Sequence, residues 1–137
     1  MNAPHPFTQL AFHTVSDLLR EHARTQPSHP ALQDETQTLN YAQLDALVDR
    51  IAATLQRDGV RHGDVVAICA LNSVPYAAVF LGALRAGAAV APLAPSSASD
   101  TLASMLRDAG AGRLFADDAS DLSAMDSSLP CVSLDGV

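Results

Sequence analysis

Apolar residues recur every three to four positions from Leu44 onward. Leu44, Leu47, Val48, Ile51 and Leu55 share one helical face, while Asp45, Asp49, Arg50 and Arg57 lie largely off it. Asn40 precedes this helix and Gln43 stands three residues on, the reciprocal pattern of a capping box. Gly59 closes the helix, and the pattern then changes. Val65-Val66-Ala67-Ile68-Cys69-Ala70 is apolar without alternation, as in a strand buried on both faces. Asn72 or Ser73 can cap the next helix, Pro75 fits its first turn, and Val79, Phe80, Leu81 and Leu84 lead to Gly87 as the exit. Ala88 to Ala91 reads as a strand stopped by Pro92. Ser99 or Asp100 starts a helix through Leu102, Met105 and Leu106 to Gly110, and Arg113 to Ala116 is a further strand. A Ser/Asp-rich loop with at most one helical turn covers residues 117 to 128, before a strand at Cys131-Val132-Ser133-Leu134. Upstream, Thr14 can cap a helix whose stripe is Val15, Leu18, Leu19, His22 and Ala23, ended by Pro27 and Pro30. A hairpin of Ala31 to Gln33 and Gln37 to Leu39 turns around Asp34-Glu35.

Helix, glycine and strand thus recur three times, which predicts an α/β fold: a parallel, doubly wound sheet with flanking helices and right-handed crossovers. Residues 1–13 read as an N-terminal extension and 14–137 as a partial α/β subdomain. No closing helix follows the final strand, so the pattern predicts a piece of a larger protein. Several of Leu81, Leu84, Leu102, Leu106 and Val132 are then expected to be more exposed than core residues, or covered by self-association.

Composition narrows the chemistry. The chain has 137 residues, 48% hydrophobic, with no tryptophan and only 4% aromatics, so its core is built from small aliphatic side chains. Fifteen acidic residues against eight arginines give a net charge of -7, which disfavours nucleic acid and anionic membranes. Thirteen of the fifteen are aspartates scattered through loops and helix ends, read as solvated surface. Residues 1 to 13 include two prolines and no positive side chain, so neither a signal peptide nor a membrane span is expected, and a cytoplasmic protein is the expectation. Cys69 and Cys131 fall in apolar strands and are expected to be buried thiols. The histidines at 5, 13, 22, 29 and 62 show no ligand spacing.

The chain contains no lysine, which removes a Walker loop and any role needing an ammonium group. The only G-x-G, Gly110-Ala111-Gly112, follows a helix and precedes a strand, the wrong side for a dinucleotide site and the right one for a helix exit. Ser96, Ser97 and Ser99 lie after a strand, where α/β sheets bind ligands, but the segment lacks exposed glycine amides and reads as a helix-capping loop. Asp117, Asp118 and Asp121 lack calcium-loop spacing and read as solvated. No nucleophile elbow is present.

Two segments carry a family resemblance. Leu39-Asn40-Tyr41-Ala42-Gln43-Leu44 and Leu84-Arg85-Ala86-Gly87-Ala88-Ala89-Val90-Ala91-Pro92-Leu93 resemble the first two signature motifs of the adenylate-forming ligases, with Gly59 to Ile68 and Asn72-Ser73 in matching order between them. Asn40 stands where Thr or Ser is usual, Gln43 where Glu is common and Arg85 where Lys is frequent. The resemblance spans Val15 to Leu134 and implies the N-terminal subdomain of an enzyme that makes an acyl-adenylate from a carboxylate, ATP and magnesium, then passes the acyl group to a thiol such as coenzyme A.

The phosphate loop, acyl pocket and catalytic lysine of that family lie beyond the matched region. The resemblance therefore assigns no catalytic, cofactor-binding or metal residue here, and implies that the remainder of the ligase chain is the partner. Peptide-synthetase adenylation domains typically carry Tyr at the position of Val90 and Asp after the Pro-Leu pair, where this chain has Ala94. That difference points toward acyl- and aryl-CoA ligases, including those of fatty acid metabolism. A peptide-synthetase adenylation fragment and a non-catalytic α/β interaction module are the alternatives, and an oxidoreductase comes third for want of its glycine loop.

Overall fold

The computed structural model describes residues 12–137; residues 1–11 of the expected extension lie outside the described residues. Helix α1 (Val15–Thr25) begins at a capping box in which the Asp17 amide donates to Thr14 Oγ1 at 3.0 Å and the Thr14 amide to Asp17 Oδ2 at 3.1 Å. Strands β1 (Pro30–Gln33) and β2 (Thr38–Asn40) form the separate antiparallel hairpin. Helix α2 (Tyr41–Arg57) starts at the Asn40–Gln43 box, with its two bonds at 2.8 and 2.9 Å. These reciprocal bonds satisfy amides that a helix start leaves unpaired.

A four-stranded parallel sheet follows, in the order β4-β3-β5-β6, made of β3 (Val65–Cys69), β4 (Ala89–Leu93), β5 (Ala111–Ala116) and β6 (Cys131–Ser133). Helices α3 (Val74–Arg85) and α4 (Ser99–Ala109) connect β3 to β4 and β4 to β5. Strands β4 and β5 flank β3 on opposite sides, so right-handed crossovers place α3 and α4 on opposite faces. The core divides accordingly. Val66, Ile68 and Phe115 pack with α2 and α3, while Ala67, Cys69, Leu114 and Ala116 pack with Leu102 and Leu106 of α4. Central β3 is thus covered on both faces, the reason its sequence shows no alternation. A third cluster joins α1, α2 and α3 through Leu19, Leu44, Val48 and Ala78, with Ala31, Leu32 and Leu39 of the hairpin packed against it.

Ser73 caps α3, not Asn72: its Oγ accepts from the Tyr76 amide at 3.1 Å. Gly87 leaves α3 at φ +89° and Gly110 ends α4 at φ +66°, the left-handed backbone that favours glycine at a helix exit.

Several expectations need correction. Strand β4 does not stop at Pro92 but runs through it to Leu93, because β4 is an edge strand and one of its sides needs no donors. Val15 is exposed at the first turn of α1, and Cys131 is exposed because β6 is the other edge. Leu134 leaves β6 and turns into a short 3-10 segment, where it is buried. The loop after β5 runs as turns and bends, within the expectation of at most one helical turn.

That loop is also less solvated than its serines and aspartates suggest: Leu122, Met125 and Leu129 fold onto α4. This is why Leu102 and Leu106 are fully buried, against expectation, while Leu81, Leu84 and Val132 remain half-buried.

Candidate functional site

In an open α/β sheet, successive crossovers that leave in opposite directions open a crevice at the carboxyl ends of the strands where they part. Here that point lies between β3 and β5. A cleft of about 590 Å³ occupies it, walled by the hairpin tip at Asp34–Gln37, the turn from Leu71 into α3, Asp117 after β5, and the segment following β6.

Two aspartates build this cleft. Asp117 Oδ2 accepts the Leu71 amide at 2.8 Å, tying the exit of β5 to the exit of β3, and Oδ1 accepts from Ala119 at 3.0 Å. Asp34 Oδ2 accepts the Val74 amide at 2.8 Å, at the first residue of α3, and Oδ1 accepts from the amides of Thr36 and Gln37 and from Thr36 Oγ1. Stabilised as an anion by these donors, that from Val74 foremost, Asp34 is held at a pKa of about 2. Sequence reading placed Asp34 in a turn and Asp117 among solvated residues. Their partners lie 40 and 46 residues away, and no local signal marks them.

The other candidates separate. The Ser99 hydroxyl accepts the Ala124 amide at 2.7 Å and meets Ser123, so it pins the loop over α4, and α4 itself has no side-chain cap. Asp121 and Asp126 fold back onto the amides of Ser123 and Ser128, closing turns. Gly110-Ala111-Gly112 forms the helix exit. Among the described histidines, His22 and His29 lie near the Tyr41 ring, at centroid distances of 4.9 and 6.1 Å, and His62 packs against Gly87. Cys69 is buried beneath Ser120, whose hydroxyl donates to the Cys69 carbonyl at 2.9 Å; burial pushes its thiol pKa up. Among the described residues, no group of three His, Cys, Asp or Glu side chains is placed to hold a metal, and no helix is long and apolar enough to cross a membrane.

Both signature segments prove architectural. The first ends β2, caps α2 and starts it. In the second, Arg85 is nearly buried and spans three helices, contacting Ser16 of α1 and Asp45 and Asp49 of α2. Asp45 Oδ1 lies 2.7 Å from Arg85 Nη2, an ion pair without an aligned hydrogen bond. Gly87 then accepts the Gly63 amide at 2.9 Å, so close to His62 that a Cβ there would lie 3.1 Å from His62 Nδ1. This interlock sits at the amino end of the sheet, opposite the cleft.

Helices wound on both faces of this sheet, in this order, are the N-terminal subdomain architecture of adenylate-forming enzymes. The solved structure of VinN with L-aspartate has a TM-score of 0.84 at 31% identity, covering 90% of this chain and 36% of that one. The O-succinylbenzoate coenzyme A synthetase MenE of Bacillus subtilis, solved with AMP, has a TM-score of 0.77 at 25% identity, covering 86% and 31%. Syringomycin synthase SyrB1 of Pseudomonas syringae pv. syringae is 34% identical over 121 residues, 88% of this chain and 19% of that protein. The family described as AMP-binding enzyme matches residues 19–136, and the chain belongs to it. It spans between 1% and 19% of the length of the peptide-synthetase relatives it matches.

Proposed function

We propose that this chain is the N-terminal scaffold segment of an ATP-dependent carboxylate-activating enzyme of the peptide-synthetase adenylation type. One observation carries the reading: peptide synthetases match at 33–40% identity, over 68–88% of this chain. The lean toward acyl- and aryl-CoA ligases drawn from Val90 and Ala94 runs against that similarity, and fatty acid metabolism finds no support in it. A CoA ligase stays the second reading, supported by those two positions and by the fold shared with MenE.

ATP and magnesium are implied for the complete enzyme, and coenzyme A for the second reading. The residues of this chain do not suit a nucleotide phosphate. The Val74 and Tyr76 amides at the α3 N-terminus already serve Asp34 and Ser73, and among the described residues every charged side chain lining the cleft is acidic. We therefore assign nucleotide binding to polypeptide beyond this segment, and to this segment the task of holding that polypeptide in register.

The test is carboxylate-dependent ATP–pyrophosphate exchange by a complete protein carrying this segment, run against amino acids and against fatty and aryl acids. Exchange with amino acids is expected. Exchange confined to fatty or aryl acids, with release of a CoA thioester, would overturn the reading in favour of the second.

A further inference from the structure

The hairpin tip forms one wall of the switch-point cleft, yet among the described residues a single hydrogen bond joins it to the body of the protein. Within the tip, Asp34 Oδ1 gathers the amides of Thr36 and Gln37, at 2.8 and 2.9 Å, and so closes the turn on itself. Outward, Oδ2 accepts the Val74 amide at 2.8 Å. Among the described residues no other hydrogen bond or ion pair links residues 34–37 to the rest of the chain. The apolar anchors of the hairpin, Ala31, Leu32 and Leu39, pack elsewhere against Leu19 and Leu44, leaving Glu35, Thr36 and Gln37 exposed.

We propose that the hairpin tip is a flap over this cleft and that Asp34 is the strap that holds it shut. Glu35 on the tip, Asp117 after β5 and Asp135 after β6 are the other charged groups lining the cleft, and all repel Asp34. Among the described residues no arginine or histidine lines it, so the strap draws its hold from an amide at the positive end of α3 and not from a salt bridge. A single bond at the edge of a wet cleft opens locally at far lower cost than the core unfolds. The inference is independent of which carboxylate the complete enzyme takes.

The sequence supplies a direct probe, because its only two glutamates are Glu21 on α1 and Glu35 on the tip. The full chain, as wild type, Asp34→Asn and Asp34→Ala, is digested with a glutamate-specific endoprotease. Amide hydrogen exchange is followed in parallel. In Asp34→Ala, cleavage after Glu35 and exchange at Val74, Thr36 and Gln37 should rise at least tenfold, with cleavage after Glu21 and exchange at Leu44 and Val66 unchanged. Asp34→Asn, which keeps one acceptor, should fall between. Equal cleavage after Glu35 in all three proteins would overturn the proposal, since the tip would then be held by packing. A rise at Glu21 and Val66 matching that at Glu35 in both variants would overturn it too, by showing global destabilisation in place of a local flap.

Discussion

Arg85 Nε donates to Ser16 Oγ at 2.6 Å, fastening the last turn of α3 to the first turn of α1 across 69 residues of sequence. The same guanidinium meets Asp49 at 2.9 Å through Nη1, so three helices share one cation. Removing it leaves Asp45 facing an uncompensated, half-dry site. Because Asp49 is half exposed, Arg85→Ala should cost about 2–4 kcal/mol, at or below the usual penalty for breaking a buried pair. Arg85→Lys should cost less, keeping the charge but losing the fork that reaches both carboxylates. Urea denaturation measures both, and an alanine variant within 0.5 kcal/mol of wild type, about the scatter of a surface substitution, would show that the contacts contribute nothing.

Gly82 sets the distance between α2 and α3. A methyl group there would lie 2.8 Å from Ile51 Cβ and closer still to its Cγ2. Gly82→Ala should therefore destabilise by about 1–3 kcal/mol despite the better helix propensity of alanine. Combining it with Ile51→Ala should recover part of that loss, and the double-mutant cycle should show coupling of at least about 0.5 kcal/mol. Strict additivity would mean that the helices separate freely.

Acid should weaken the Asp34 contribution only at the bottom of the carboxylate range. The pKa of Asp34 falls from an ordinary 3.8 to about 2 on folding, so its contribution is complete above pH 3.8 and disappears as the pH drops toward 2. The stability difference between wild type and Asp34→Asn should be constant from pH 7 to about 4 and shrink between about 4 and 2. Chemical denaturation across that range tests it, and a difference that grows on acidification would reverse the sign.

The two thiols should part company kinetically. Desolvation raises the pKa of both thiols, so the contrast rests on access: Cys131 is exposed on the β6 edge, whereas Cys69 is buried. A thiol reagent at pH 8 should label Cys131 at least tenfold faster than Cys69 in the native chain, and both alike in denaturant. Peptide mapping reads the ratio.

The 137-residue chain alone should form no acyl-adenylate. Stabilising charge on a transferring phosphorus needs preorganised donors or cations, and this sequence has no lysine and spends its α3 amides internally. Pyrophosphate exchange above that of a boiled control, with any carboxylate, would refute this.

The elements that sequence made legible are those governed by near neighbours. The box at Asn40 and Gln43, the continuous run from Val65 and the glycine exits at Gly87 and Gly110 all act within a turn or two of the chain, and each stands where the pattern put it. What escaped depends on position in the sheet. Pro92 and Cys131 behave as they do because β4 and β6 are edges, a property of strand order that no residue states for itself. The cleft escaped for a related reason: Asp34 and Asp117 look like any turn aspartates until the chain brings Val74 and Leu71 to them.

The two margins of the sheet differ in what they offer a passing molecule. Along β4, Pro92 interrupts the row of amide donors that an incoming strand would need, while β6 presents just three residues. Neither margin is a long, regular template for strand addition between molecules. In β4 that interruption comes from one ring nitrogen and not from a charged side chain, because no residue of Ala89–Leu93 carries a charge.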